Sequence, residues 1–233
     1  KQIVFWVIII LTIGSAFTSA IIVRHQTAPV YGVHDIILQL EASIQFFLSG
    51  KNPYAATFFG TPLEQWHYSA TEINPALFHF VMPPFFLLFS TFFYFLSITF
   101  LGFFDARIPL YFLFFVMLFF AAKLVKDRVS KLTFLTILIF NPATLGYLLE
   151  GRDDIFMAAF LLMGLFLLQR KKLILAGIPM ALAFATKQSV WPIFPFYAAF
   201  LWFQFKNIRD VIKAILPFAI VFGLIVLPFF FWN

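Results

Sequence analysis

The chain lacks cysteine, since none occurs among its 233 residues. This absence excludes disulfide bonds, a thiol nucleophile and metal sites with cysteine ligands. Charged side chains are also scarce: Asp, Glu, Lys and Arg make up 11% of the residues, whereas soluble domains carry roughly 25%. The composition therefore argues against a soluble globular protein.

Apolar residues are abundant, at 63% of the sequence. Several apolar stretches approach the roughly 20 residues that a helix needs to cross a bilayer. The sequence therefore predicts an all-α fold, a polytopic transmembrane helical bundle in one domain over residues 1–233. The candidate spans are Ile3–Val23, Ile108–Ala122, Leu132–Leu149, Ile155–Leu168, Leu173–Ala185, Val190–Phe205 and Ala214–Trp232.

The chain begins without methionine and ends inside its last apolar stretch, so we expect it to be the N-terminal part of a longer protein. Ile3–Val23 is too long for a signal peptide and has no small-residue cleavage site. This stretch is therefore predicted to be a retained first span.

The basic residues lie mainly in three short connections, 123–131, 170–172 and 206–213. Lys and Arg in short loops mark the cytoplasmic side of a membrane protein. Placing these loops and Lys1 inside puts 11 of the 16 basic residues in the cytoplasm and leaves eight of the ten acids outside. The net charge of +6 thus reflects topology and does not indicate nucleic-acid binding.

The apolar segment 76–104 is interrupted by Pro83 and Pro84. Proline removes a backbone donor and clashes with the preceding turn, so one smooth helix through both is not expected. The first span leaves the cytoplasm and Ile108–Ala122 returns to it, so the segment between them must cross an even number of times. We expect a re-entrant pair, a kinked interfacial helix or a full hairpin.

The outer loop 24–75 is the largest polar segment. Apolar residues recur at helical spacing over 36–48, which predicts an amphipathic helix lying along the membrane surface. Gly50 is a helix-ending residue. Asp35 stands at the start, where a helix favours negative groups.

Three carboxylates stand at the membrane's edge. Asp35 follows the first span, and Asp153 and Asp154 lie in the connection between two later spans. A carboxylate beside hydrocarbon is costly unless it has a partner or a task, so these residues are functional candidates. If they lie on one face of the membrane, they can share one site.

An acid, an amphipathic helix and a proline turn follow one another in the first outer loop: Asp35, 36–48 and Gly50-Lys51-Asn52-Pro53-Tyr54. This order resembles the opening of the GT-C superfamily of membrane glycosyltransferases. The proline-containing stretch that follows in those enzymes is similar to the segments around Asn74-Pro75 and Pro83-Pro84.

Two later segments extend the resemblance over most of the chain. Asn141-Pro142 and then Gly151-Arg152-Asp153-Asp154 are similar to the second acidic loop of that family, often Gly-Gln-x-Asp, although Arg152 replaces the common Gln. The segment from Ala176 to Lys187 is similar to a helix of the polyprenyl-phosphate-sugar-dependent mannosyltransferase-like branch. The order and spacing of these motifs carry the resemblance.

The resemblance implies an integral membrane hexosyltransferase with a GT-C-type bundle and an outer juxtamembrane helix. Such an enzyme would transfer a hexose, mannose-like and with inversion, from a polyprenyl-phosphate-linked donor. The acceptor would be a glycan, lipid or protein at the non-cytoplasmic face, in a prokaryotic plasma membrane.

Within this family, the residues would take specific roles. Asp35 would be the catalytic base, because an acceptor hydroxyl needs a base within hydrogen-bond reach. Arg152 and Lys187 would bind the donor phosphate, since positive groups stabilise the leaving phosphate. Asp153 and Asp154 would bind the acceptor or a divalent cation, Mg²⁺ or Mn²⁺. Some members use a metal and others do not, so the metal stays open.

Simpler roles are alternatives for each residue. Asp35 could simply cap its helix, with no catalytic role. Arg152 could form a local ion pair with Asp153 or Asp154, and Lys187 could extend to the membrane interface. The rival functions are a secondary transporter, a lipid or polysaccharide translocation protein, and a non-catalytic scaffold. Against transport, the charges cluster at one face rather than at the midplane.

Overall fold

The computed structural model describes residues 2–69 and 71–232, and within these residues it is all-helical, with no strand. There are ten α-helices and three short 3-10 helices in this part of the chain. The α-helices are α1 (Gln2–Thr27), α2 (Asp35–Leu48), α3 (Pro84–Leu101), α4 (Ile108–Leu124), α5 (Arg128–Phe140), α6 (Pro142–Glu150), α7 (Asp154–Gln169), α8 (Leu173–Phe184), α9 (Phe194–Phe205) and α10 (Ile208–Phe230). The 3-10 helices are Pro62–Gln65, Pro75–Leu77 and Gln188–Ile193.

Three helices, α1, α3 and α10, are long and apolar enough to cross a membrane. The pair α5 and α6 forms a fourth candidate, although the two helices are bent by 51° at their junction. Helices α4, α7 and α8 are apolar but shorter. This set of apolar helices is consistent with an integral membrane protein.

The junction of α5 and α6 divides the stretch 132–149, for which the sequence predicted one span. Pro142 opens α6 at a position where its missing N–H is not needed, and Asn141 takes extended backbone between the helices. The Asn141 side-chain oxygen accepts a hydrogen bond of 2.9 Å from the Ala143 N–H. Proline and an N-cap together therefore end one helix and begin the next.

Helix α3 begins at Pro84, again with proline in the first turn, and runs unbroken to Leu101. Near its start, the Phe85 N–H donates to the Ala185 carbonyl at 2.9 Å. Beyond its end, Asp105 pairs with Arg24 of α1 at 2.9 Å. The segment 76–104 thus holds one α-helix, α3, and does not form a helical hairpin. Length and composition would let α3 cross a membrane. However, the contacts at its start and beyond its end both lie at the end of the bundle that holds Asp35.

Helix α2 is covered on both faces, unlike the surface-lying amphipathic helix that the sequence predicted. Nine of its fourteen residues are buried, including the polar Gln39 and Ser43, whereas Gln45 and Leu48 near its end are exposed. The Gln39 amide donates to the carbonyls of Ala76 at 2.6 Å and His79 at 2.8 Å. The segment that follows the outer loop thus supplies the partners that water would otherwise provide to the Gln39 amide, whereas the buried Ser43 hydroxyl has no hydrogen-bond partner among the described residues.

The bundle has two ends of opposite charge. We call the end that holds Asp35, Asp105 and residues 150–154 the acidic end. At the other end, the basic end, the Gln169 amide donates to the Leu124 carbonyl at 3.0 Å and so joins α7 to α4. Small residues allow close helix packing between the ends: a Cβ at Gly177 of α8 would lie 3.0 Å from the Phe218 nitrogen of α10.

Candidate functional site

Asp35 occupies the first turn of α2 and its side chain is almost fully buried, at 7% exposure. Its Oδ2 accepts hydrogen bonds from the Tyr68 hydroxyl at 2.8 Å and from the Asn74 amide at 3.1 Å. Its Oδ1 lies 2.6 Å from His34 Nδ1. At this distance Nδ1 carries the proton and donates it to Asp35. The same nitrogen then has no lone pair to accept the Ile36 N–H, which lies 3.4 Å away.

These partners keep Asp35 ionised. Burial alone would raise the pKa of the carboxyl, but the hydrogen bonds from His34, Tyr68 and Asn74 outweigh it and lower the pKa. Burial and the bond to Asp35 raise the pKa of the Tyr68 hydroxyl to about 12, so Tyr68 remains a donor. Asp35 is thus a buried carboxylate that can only accept hydrogen bonds.

The loop after α6 makes a tight turn at Gly151, whose φ of +85° is a left-handed conformation that glycine adopts at little cost. A Cβ at this position would overlap the Ile37 side chain of α2 and lie 2.8 Å from Arg107 Cγ. The turn therefore lets the loop 150–154 lie directly against α2.

Arg152 follows this turn and is partly exposed. Its Nε donates to Glu150 at 3.0 Å, and its guanidinium lies 4.4 Å from the centre of the Tyr147 ring. The local ion pair is therefore made with Glu150, not with Asp153 or Asp154 as the alternative interpretation expected. The hydrogen bond to Glu150 raises the pKa of the Arg152 guanidinium.

Lys187 joins the two aspartates after Arg152. Its ammonium donates to Asp153 at 2.9 Å and to Asp154 at 2.8 Å. The Asp153 side chain is 6% exposed and that of Asp154 is 44% exposed. Asp153 Oδ2 is buried, and no described residue gives it a hydrogen bond. Burial raises the pKa of Asp153. Burial also disfavours the charged form of Lys187, but the two carboxylates outweigh it and raise the pKa of this lysine.

The hydrogen-bonded groups around Asp35 and around Lys187 are linked through the loop 150–154. The His34 N–H donates to the Glu150 carbonyl at 2.7 Å, and the charge of Arg152 acts on the Tyr68 hydroxyl that binds Asp35. Arg152 also interacts electrostatically with Asp154. However, neither Asp35 nor Lys187 lines any of five cavities of about 300–410 Å³ in the described residues. The loop that carries Tyr68 and Asn74 covers Asp35.

A buried ionic network behind the site was not expected from the sequence. Arg24 of α1 pairs with Glu41 of α2 at 2.8 Å and with Asp105 at 2.9 Å. Asp105 also pairs with Arg107 at 2.8 Å, and Arg107 donates to the Leu149 carbonyl at 2.9 Å. The network therefore connects α1, α2 and the end of α6. It fixes α2 relative to the loop 150–154.

The acidic side chains do not form a metal site in the described part of the chain. No group of three or more His, Asp or Glu residues there is placed to hold a metal ion. Between Asp153 and Asp154, the ammonium of Lys187 occupies the place that a cation would take. These residues do not fit the Mg²⁺ or Mn²⁺ that the resemblance left open.

Comparisons with known proteins gave no relative: no protein-family model matches the chain, and no curated protein or solved structure is significantly similar to it.

Proposed function

We propose that the chain is an integral membrane hexosyltransferase of the GT-C type, acting on a polyprenyl-phosphate-linked sugar at the non-cytoplasmic face. The observation that carries the proposal is the ionised, buried Asp35 fixed beside a loop that presents Arg152. Sugar transfer from a phosphate requires a base for the acceptor hydroxyl and a cation for the leaving phosphate, and Asp35 and Arg152 could supply them.

Asp35 takes the part of the general base. The Tyr68 hydroxyl, 2.8 Å from Oδ2, marks a place where an acceptor hydroxyl would meet the carboxylate within hydrogen-bond distance. When such a hydroxyl replaces that of Tyr68, Asp35 removes its proton. The lowered pKa keeps the carboxylate unprotonated, so that it can accept the hydrogen bond of the acceptor hydroxyl.

Arg152 takes the part of the phosphate contact. Its side chain is 37% exposed, and a guanidinium binds phosphate oxygens through two parallel hydrogen bonds. Lys187 is a second cation at the same end of the bundle, held by Asp153 and Asp154. The donor phosphate would displace the exposed Asp154 from Lys187, while the buried Asp153 keeps the ammonium in place.

The transfer step follows from these positions. The acceptor oxygen forms a bond to the anomeric carbon of the hexose, and the bond from that carbon to the phosphate oxygen breaks. The hydroxyl proton passes to Asp35, and the polyprenyl phosphate leaves with its electron pair. Arg152 and Lys187 stabilise the negative charge that develops on it. Attack opposite the leaving group inverts the configuration.

Reconstituted vesicles test the proposal against transport, the main rival. Vesicles containing the full chain are supplied with radiolabelled polyprenyl-phosphate mannose and a membrane extract as the source of acceptor. If the chain is a transferase, the label should appear in a product from which mild acid does not release it, and free polyprenyl phosphate should form. Label that stays on the polyprenyl carrier but changes leaflet would instead assign the chain to translocation.

A further inference from the structure

At the basic end of the bundle, opposite Asp35, two cavities adjoin along α4. One of about 300 Å³ is lined only by apolar α4 side chains, including Phe112, Phe115 and Phe119. Another of about 400 Å³ shares Phe115 and Phe119 and extends to Trp6 of α1 and to two lysines, Lys123 and Lys131. An apolar groove therefore leads to a pair of ammonium groups.

A third cavity of about 410 Å³ shares Lys123 and adds further basic residues, among them Arg170 and Lys171. Within the described part of the chain, none of these cations has an acidic side chain within 4.0 Å. The nearby Asp127 caps α5 and accepts the Ser130 N–H at 2.7 Å. The basic side chains that line these cavities thus have no ion-pair partner among the described residues.

We propose that this groove binds an anionic phospholipid of the adjoining leaflet. The lipid phosphate lies between Lys123 and Lys131, and one acyl chain follows the Phe119, Phe115 and Phe112 side chains along α4. Basic pockets between apolar helices are suited to such headgroups. A zwitterionic lipid would leave the charge uncompensated, and a free phosphate would leave the groove unfilled.

The third cavity indicates which anionic lipid binds most tightly. Lys123 belongs to both basic cavities, so a second phosphate attached to the first can reach Arg170 and Lys171. A diphosphatidylglycerol has two phosphates and should therefore bind more tightly than a phosphatidylglycerol. This inference depends on the membrane location of the helices and not on sugar transfer.

Native mass spectrometry of the purified full chain tests the site by titration with phosphatidylglycerol, diphosphatidylglycerol and phosphatidylcholine of equal chain length. The double variant Lys123→Gln/Lys131→Gln should bind phosphatidylglycerol roughly 20- to 30-fold more weakly, since each basic contact near a membrane surface contributes about fivefold. The charge-preserving variant Lys123→Arg/Lys131→Arg should bind as the unmodified chain does. It shows that lost charge, not lost folding, weakens binding.

The matched control is Lys172→Gln/Lys213→Gln, which removes two lysines outside the lining of these cavities and should leave the affinity unchanged. Equal binding of phosphatidylcholine and phosphatidylglycerol would overturn the proposal, as would unchanged binding by the Lys123→Gln/Lys131→Gln variant. Competition by glycerol phosphate as strong as that by the lipid would assign the site to a free anion instead.

Discussion

The backbone N–H of His34 donates a hydrogen bond of 2.7 Å to the carbonyl of Glu150. This bond joins the residue before Asp35 to the loop that carries Arg152 and Asp153, although more than a hundred positions separate them in the sequence. The proposed base and the proposed phosphate contact are thus parts of one rigid corner of the bundle.

Tyr68→Phe should move the acidic limb of the transfer activity to higher pH. Hydrogen bonds hold the pKa of Asp35 below its ordinary value, so activity that needs the carboxylate is lost only as the pH falls through that lowered pKa. Without the Tyr68 hydroxyl the pKa rises towards its ordinary value, and the loss begins at higher pH. A pH profile of kcat/KM for the acceptor measures the shift, because this parameter reports the free enzyme, in which Tyr68 still donates to Asp35. Tyr31→Phe, at an exposed tyrosine, is the control, and an unmoved limb would disconnect Tyr68 from Asp35.

Gly151→Ala should destabilise the protein by about 2–4 kcal/mol, because alanine is strained in the left-handed conformation and its Cβ would overpack against Ile37. Denaturant unfolding in detergent micelles, followed by tryptophan fluorescence, measures the change. Gly146→Ala is the matched control in the helix just before: nothing lies within 4 Å of its Cβ position, so it should be neutral or stabilising by up to about 1 kcal/mol. Equal effects at both glycines would show that the α2 contact is unimportant.

Lys187→Met should cost about 1–3 kcal/mol of unfolding free energy, because it leaves the buried Asp153 without its partner. In an Asp153→Asn background the same change should cost less, since no buried charge remains. Lowering the pH should also reduce the cost in the single variant, because burial already raises the pKa of Asp153 and protonation removes the unpaired charge. A double-mutant cycle at two pH values measures both effects. Additive, pH-independent changes would contradict the ion pair.

Arg107→Met should be more destabilising, by about 3–5 kcal/mol, because it breaks a buried pair and leaves Asp105 with one partner fewer. Asp105 is fully buried and Arg107 nearly so. The control is Lys213→Met, whose pair with Asp210 is exposed and should contribute less than about 1 kcal/mol. The same unfolding measurement compares the two. A loss at Arg107 no larger than that at Lys213 would remove the network from the account of stability.

The acidic residues of the site could be identified from the sequence because a charge beside long apolar stretches is rare and stands out. Asp35, Asp153 and Asp154 stand out for this reason, whereas Lys187 was indicated by the resemblance of the segment from Ala176 to Lys187. Their partners could not be assigned, since they depend on how the chain folds: Lys187 lies 34 positions from Asp153. Apart from the Asn74-Pro75 motif, nothing in the sequence indicated that Tyr68 and Asn74 would cover Asp35.

The sequence predicted some features of the helices correctly and others not. Proline marked the start of α3 and the break between α5 and α6, although the second was expected to lie within one span. The periodicity over 36–48 predicts a helix, and the structure has α2 there. Its burial on both faces was not expected, because Gln39 and Ser43 would normally face water. The Arg24–Asp105 pair spans 81 positions, a separation at which composition gives no guidance.

The measurement that bears most directly on the central claim is sugar transfer by Asp35→Asn. The variant keeps the size of the side chain and an oxygen that can accept from Tyr68, but it cannot take up the acceptor proton. Transfer from radiolabelled polyprenyl-phosphate mannose should fall by about 10²–10⁴-fold at unchanged protein level, while Glu72→Gln, an exposed change in the same loop, should leave it intact. Transfer by Asp35→Asn at the rate of the unmodified chain would contradict the account.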